Sequence, residues 1–217
     1  MYLDTANIDQ IKELQSYGFL KGVTTNPTLL AREKRPRVIQ LQAIAQQLKP
    51  EMTLFIQLEG LRHEALYQDF LQLEATFPKV NRCYKVALNE AGLQTIASIK
   101  QSHPETSLLA TAIYSAEQMY LAALAGCQYI APYVNRMQVA GIDPYEEIHL
   151  ARTFIDQKDL TAQIMGASFK NTRQIKKSYQ AGAHITTVAP DVLKQMSTQP
   201  IVEQAIAQFE KDSRNLS

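Results

Sequence analysis

Short apolar runs alternate with amphipathic segments from one end of the chain to the other. Residues 2–4, 22–25, 52–58, 82–87, 107–113, 129–134, 163–168 and 184–188 have the length and composition of strands. Between them, apolar residues recur at helical spacing. Ile8, Ile11 and Leu14 follow a cap at Asn7 or Asp9. Residues 38–48 carry Ile39, Leu41, Ile44 and Leu48, and residues 61–76 carry Leu66, Phe70, Leu71 and Leu73. Further helices are predicted over 90–102, over 115–125 with Ser115 as cap, from Asp143-Pro144, over 172–181 and over 190–196. A last one over 200–211 places Ile201, Ala205, Ile206 and Phe209 on one face. Gly18, Gly126 and Gly182 mark helix ends, and Asn26-Pro27 breaks the second strand because proline has no amide hydrogen to give a ladder.

Eight strands in strict βα alternation predict a (β/α)8 barrel, a single domain over residues 1–217 with an extra C-terminal helix. The chain has 217 residues, near the short end of the ~200–400 usual for that fold, so little length remains for insertions. An open doubly wound sheet is the alternative. The absence of a GxGxxG after the first strand weighs against a dinucleotide-binding version.

Charge narrows the function classes. The formal net charge is +1, which implies no polyanion-binding surface and hence no nucleic-acid partner. The basic run Arg32-Glu33-Lys34-Arg35-Pro36-Arg37 reads as a solvated loop before a helix. No apolar run reaches the ~18 residues of a membrane span, so no membrane partner is expected. Met1-Tyr2-Leu3-Asp4 leads directly into structure, so no signal peptide is expected and the cytoplasm is the expected compartment. Cys83 and Cys127 stand far apart in no CxxC pattern and read as reduced thiols. The four histidines, at 63, 103, 149 and 184, have no helical ligand spacing, so no metal site is expected.

Lys85 is the residue that changes the picture. It lies inside Arg82-Cys83-Tyr84-Lys85-Val86-Ala87, and strands of an alternating βα protein are covered on both faces. A buried ammonium costs several kcal/mol unless it is paired, and a depressed pKa that leaves a neutral amine costs less. Such an amine attacks carbonyl carbons and forms a Schiff base. The same run equally describes a strand-end lysine whose head reaches solvent or a carboxylate.

The other strand ends tip the balance. Barrel chemistry sits at the C-terminal ends of the strands. There the chain carries Asp4, then Thr24 and Asn26, then Gln57, Lys85 and Thr111, then Tyr133 with Arg136, then Ser168 with Lys170. One polar strand end is a cap or a turn; seven in register make a site the better reading. Asp4 suits positioning of substrate hydroxyls, and Thr24 and Asn26 offer them neutral hydrogen bonds. Gln57 and Thr111 suit a water that relays a proton, and the Tyr133 phenol is a candidate general acid/base. Arg136, Ser168 and Lys170 form a cationic, hydroxyl-bearing pocket suited to phosphate. Taken singly, Asp4 reads as a helix cap, Asn26 as a pre-proline turn residue, Tyr133 as core and Arg136 as the partner of Asp143 or Glu146.

Several stretches resemble the transaldolase family, and more closely its small branch, which contains fructose-6-phosphate aldolase. They are Leu3-Asp4-Thr5-Ala6-Asn7, Gly22-Val23-Thr24-Thr25-Asn26-Pro27-Thr28, Lys85-Val86, Ala131-Pro132-Tyr133-Val134-Asn135-Arg136 and Gly166-Ala167-Ser168-Phe169-Lys170. The resemblance runs over essentially the whole chain and implies a (β/α)8 class I aldolase that needs no metal or organic cofactor. It implies Lys85 as the Schiff-base lysine, Asp4 and Asn26 as family site residues, and Arg136 and Ser168 as binders of substrate phosphate. Transaldolases resemble one another in a third-strand glutamate and a sixth-strand phenylalanine. Gln57 and Tyr133 stand there instead, as in fructose-6-phosphate aldolases. The implied partners are sugar phosphates, with a homo-oligomer (pentamer or decamer) as the expected assembly. True transaldolase activity and a catalytically silent sugar-phosphate-binding protein are the competing readings. One departure is local: the family usually continues Val-Pro and then a threonine after the lysine, where this chain has Val86-Ala87-Leu88-Asn89.

Overall fold

Successive side chains of a strand point to opposite faces, so each strand of this chain serves two cores at once. The computed structural model describes residues 1–214. In it, β1 (Tyr2–Asp4), β2 (Gly22–Thr24), β3 (Thr53–Gln57), β4 (Arg82–Ala87), β5 (Leu108–Ile113), β6 (Tyr129–Pro132), β7 (Gln163–Gly166) and β8 (Ile185–Val188) pair in sequence order. All pairs are parallel, and β8 returns to β1 to close the barrel. Ten helices occupy the connections: α1 (Ile8–Gln15), α2 (Pro27–Arg32), α3 (Arg37–Ala45), α4 (His63–Thr76), α5 (Glu90–Ser102), α6 (Ala116–Leu124), α7 (Val134–Val139), α8 (Pro144–Gln157), α9 (Thr172–Gln180) and α10 (Pro190–Ser197). A further helix, α11 (Pro200–Arg214), follows the barrel. This is the (β/α)8 barrel, with its added helix, that the alternation predicts.

The outward residues Leu3, Val23, Leu54, Ile56, Tyr84, Val86, Ala110, Ile130 and Ile164 pack against helix residues such as Ile11, Leu14, Leu41, Ile44, Phe70 and Ile96. Each large side chain buried there contributes roughly 1.5–3 kcal/mol. The inward residues Tyr2, Phe55, Cys83, Leu109, Ala131 and Met165 form a separate cluster inside the barrel. Its aromatic members meet edge to face, with ring centroids 4.9 Å apart for Tyr2–Phe55 and 5.3 Å for Phe55–Tyr129. Such pairs add about 0.5–1.5 kcal/mol each beyond burial. They form a rigid floor beneath the barrel mouth.

Above that floor the strands turn into helices through short polar caps. Asn7, Asn26, Asn89, Ser115, Asp143 and Asn171 each accept a first-turn amide hydrogen with a side-chain oxygen. Asn7, not Asp9, caps α1. Gly92 fits the first turn of α5 against β4, where an added Cβ would lie 2.0 Å from the Ala87 carbonyl oxygen.

Several predicted boundaries shift, each for a local reason. The sixth strand ends at Pro132 rather than at residue 134, because Val134 enters α7 and its amide bonds the Ala167 carbonyl. The seventh ends at Gly166 rather than at 168, because Ser168 adopts a left-handed φ of 60°. The third spans Thr53–Gln57 rather than 52–58. The helices predicted over 38–48 and 61–76 are Arg37–Ala45 and His63–Thr76. Helices α2 and α7 have six residues each, too short for periodicity to reveal them. The apolar stripe of α11 is outside the barrel core: Ile201 is 70% and Phe209 69% exposed, and no residue of α11 is buried. Among the described residues no helix is long and apolar enough to cross a membrane.

Candidate active site

The two-residue period that fills the barrel also builds its mouth. One step beyond the floor, the inward position becomes polar: Tyr2 is followed by Asp4, Phe55 by Gln57, Cys83 by Lys85, Leu109 by Thr111, and Ala131 by Tyr133. These side chains line a cavity of about 300 Å³ together with Thr24, Asn26, Thr28, Arg136, Ser168 and Thr187. Its polar lining is continuous with the apolar floor at Leu109, Ala131 and Met165.

Lys85 sits at the base of this cavity and is 6% exposed. It is the only lysine among the described residues in the buried class. Its Nζ donates to the Thr25 carbonyl at 2.6 Å. Burial pulls its pKa below the ordinary lysine value, while the charge of Asp4 opposes the shift. The net shift is toward the neutral amine, the form with a lone pair to share.

Asp4 heads a chain of hydroxyls. Thr24 Oγ1 donates to Asp4 Oδ1 at 2.7 Å and lies 2.6 Å from Thr187 Oγ1. A hydroxyl has one proton, so with Thr24 donating to the carboxylate, Thr187 must donate to Thr24. This chain spans β8, β2 and β1 and fixes one carboxylate oxygen. Asp4 therefore caps no helix: the α1 cap is Asn7.

On the opposite wall, the Tyr133 hydroxyl lies 2.9 Å from Thr111 Oγ1, and the Arg136 guanidinium sits 4.9 Å above the Tyr133 ring. Burial raises the phenol's pKa; the Thr111 hydrogen bond and Arg136 act to lower it, and Asp4 to raise it. Tyr133 is thus neutral at ordinary pH and hydrogen-bonded, able to give one proton while accepting another. Gln57 neighbours Lys85 directly in the β3–β4 register. Its side-chain Oε1 is buried and has no hydrogen-bond partner within the protein. Gln57 lines the cavity, so a hydroxyl or water reaching this oxygen would give it the partner that a buried polar atom needs.

The rim carries one cation, Arg136. Arg136 is exposed on α7, one turn beyond Tyr133, and forms no ion pair with Asp143 or Glu146; Asp143 instead caps α8. Ser168 joins it from the β7 end, and its carbonyl accepts the Asn135 amide at 3.2 Å. Two of the four non-glycine residues with positive φ among the described residues, Ala112 and Ser168, line this cavity. Ala112 lies within a register shift of β5, which turns the strand end around the mouth. Asn26 does both jobs open to it: its Oδ1 caps α2 through the Leu29 amide at 3.0 Å, and the residue lines the cavity.

Nine of the ten residues singled out from the sequence thus converge on one cavity. Lys170 does not. It is exposed outside the lining, with its main-chain amide donated to Gln174 at 2.7 Å, because left-handed Ser168 and buried Phe169 turn the chain away first. Thr187 was reachable by the same two-residue rule, since it follows inward Ile185 on β8. The Thr25 carbonyl was not, because a main-chain acceptor carries no side-chain signal. Ala87 and Asn89, where the chain departs from Val-Pro and threonine, line a neighbouring pocket that shares Pro27 and Gln57 with this one. No cluster of three or more His, Cys, Asp or Glu side chains fit to hold a metal ion occurs among the described residues.

A family model described as transaldolase/fructose-6-phosphate aldolase matches residues 1–217. The chain belongs to the transaldolase/fructose-6-phosphate aldolase family. Enzymes of this family form a Schiff base and act as aldolases or transaldolases on sugar phosphates. Both family reactions make the same chemical demands: an amine free of its proton, a proton relay, and a cationic rim for phosphate. The cavity contains candidates for all three.

Proposed function

We propose that this protein is a class I aldolase that reversibly cleaves fructose 6-phosphate to dihydroxyacetone and glyceraldehyde 3-phosphate, with Lys85 as the nucleophile. The observation that carries the reading is the buried Lys85 amine facing a cavity of hydroxyl, amide and phenol groups. The amine adds to the C2 ketone and water departs, leaving an iminium ion. The C3–C4 bond then breaks as its electrons move into the iminium, while the C4 hydroxyl gives up its proton. Glyceraldehyde 3-phosphate leaves. The enamine takes a proton on C3, and water releases dihydroxyacetone and the free lysine.

One proton therefore travels from O4 to C3. Tyr133, Thr111 and a water on Gln57 form the relay in this reading, and Tyr133 is its acid/base. Asp4, held by Thr24 and Thr187, orients the dihydroxyacetone hydroxyls and faces the positive iminium. Asn26 gives the same hydroxyls a neutral donor. Arg136 and Ser168 bind the phosphate. Gln57 and Tyr133 favour release of free dihydroxyacetone over transfer, because the relay ends on a phenol and not on a carboxylate. The exposed apolar stripe of α11 supports self-association into a homo-oligomer.

Borohydride reduction in the presence of fructose 6-phosphate or dihydroxyacetone, followed by peptide mass mapping, tests the nucleophile. The expected adduct lies on the peptide containing Lys85. Assays with and without erythrose 4-phosphate test the reaction: cleavage should proceed without that acceptor, and strict dependence on it would make the enzyme a transaldolase. Binding of sugar phosphate without any adduct would leave a silent binding protein.

A further inference from the structure

We infer that Arg37 is a positioning residue for Gln57, acting from outside the cavity through a clamp on the end of β3. Arg37 closes the basic run that reads from sequence as a solvated loop, yet its side chain is only 19% exposed. It opens α3 and reaches across to α4, where its two terminal nitrogens grip Asp69 at 2.6 and 2.9 Å. The second of them also donates to the main-chain carbonyl of Gln57 at 2.6 Å. Asp69 completes the clamp by accepting the Glu59 amide at 2.8 Å. Arg37 Nε lies 3.1 Å from Glu59 Oε1 but off the hydrogen-bonding direction, so that contact is one of charge alone.

The arrangement fixes residues 57–59 from both sides. Toward the barrel, the Leu58 amide bonds the carbonyl of Lys85 at 2.9 Å. Away from it, Arg37 holds the carbonyl before Leu58 and Asp69 the amide after it. The Gln57 side chain has no hydrogen bond to any other described residue, so no polar partner holds the amide, and its aim depends on packing and on the placement of its main chain. A planar fork that binds a carboxylate and a carbonyl at once is a task for arginine; a lysine ammonium lacks that geometry. A shift of about 1 Å in a reacting group's placement costs up to ~100-fold in rate. This inference rests on the reading of Gln57 as part of the proton relay.

A double-mutant cycle tests it, with two readouts: kcat for fructose 6-phosphate cleavage, and the rate of borohydride trapping at Lys85. Arg37→Met should lower kcat about ten- to a hundredfold and leave trapping within about twofold. Arg37→Lys should fall between it and the wild type. In a Gln57→Ala background, Arg37→Met should have little further effect, because the group it positions is gone. Asp69→Asn, with folding checked by circular dichroism and thermal melting, should repeat the pattern if Arg37→Met fails to fold. Losses of equal size with and without Gln57 would make Arg37 a general support of the fold and overturn the inference. So would an unchanged kcat in Arg37→Met or in Gln57→Ala. Absence of trapping in the wild type is a different result: it removes the Schiff-base reading itself.

Discussion

The side-chain nitrogen of Lys85 donates to the main-chain carbonyl of Thr25, 2.6 Å away across the barrel mouth. Thr25 is itself tied to β3, its amide and hydroxyl both bonding the Phe55 carbonyl at 3.2 and 2.9 Å. The acceptor is therefore fixed, and it fixes the nitrogen. A neutral amine that gives one hydrogen to this carbonyl still has its lone pair for the cavity. An ammonium would make the same bond, so the carbonyl orients the group without choosing its charge. Burial shifts the group toward the neutral form, against the opposing pull of Asp4.

Tyr133→Phe separates bond formation to lysine from proton transfer. The substitution keeps the ring under Arg136 and removes the hydroxyl that meets Thr111. Borohydride trapping at Lys85 should persist, while kcat for cleavage falls about a hundredfold or more. The wild-type phenol is held above its ordinary value of 10.0, so its ionisation should cost no activity below pH 10. An alkaline loss that begins well under pH 10 and vanishes in Tyr133→Phe would contradict that environment.

Gln57→Glu places a carboxylate beside Lys85 in the neighbouring strand register. A negative charge there favours the ammonium, so the lysine pKa rises. Activity that requires the free amine grows as pH passes upward through that pKa. The acid limb of kcat/KM should therefore move to higher pH than in the wild type. Transfer of the dihydroxyacetone unit to erythrose 4-phosphate should gain relative to its release. Both shifts come from one pH–rate series with and without acceptor; an unmoved acid limb would remove Gln57 from the neighbourhood of the reacting amine.

Arg136 and Lys170 looked alike in the sequence, and the structure divides them. Arg136→Met should raise KM for fructose 6-phosphate about ten- to a hundredfold, the loss of a charge-assisted hydrogen bond, and leave trapping by unphosphorylated dihydroxyacetone nearly unchanged. Lys170→Met, at an exposed position outside the cavity, should change KM by about twofold or less. Steady-state assays on both sugars check the contrast.

The sequence revealed those parts of the fold that have a period. Short apolar runs between amphipathic segments marked all eight strands, and the polar residues at their C-terminal ends, Lys85 and Thr111 among them, marked the mouth. What has no period stayed hidden. Six-residue α2 and α7 complete too few turns to show a face, so Arg136 was placed after a strand when it stands on a helix. Lys170 lies outside the cavity lining because one left-handed residue, Ser168, redirects the chain, and nothing in a serine announces a φ of 60°. From the sequence Arg37 reads as a solvent charge, because its partner Asp69 lies 32 residues away on another helix. Long-range pairing of that kind leaves no mark in a local window.

Lys85→Met tests the buried charge through stability, independently of turnover. Catalysis and Schiff-base trapping should both be lost, but the folded state should respond to pH in a defined direction. The folded pKa of Lys85 lies below its ordinary value of 10.5. Between the two values the unfolded chain holds a proton that the folded chain does not, so wild-type stability rises with pH across that window. Below the folded pKa both states are protonated, and the wild type bears the full cost of a buried ammonium. Lys85→Met has no such dependence. Its stability relative to the wild type should therefore be greatest at low pH, decline as pH rises toward 10.5, and level off beyond it. The substitution also leaves the Thr25 carbonyl without its donor, a constant cost of about 1–3 kcal/mol that displaces the whole curve without altering its slope. Urea denaturation of both proteins at several pH values gives the difference directly, and ionisations common to the two cancel. A difference that stayed flat with pH, or grew, would mean that Lys85 reaches water and keeps its proton.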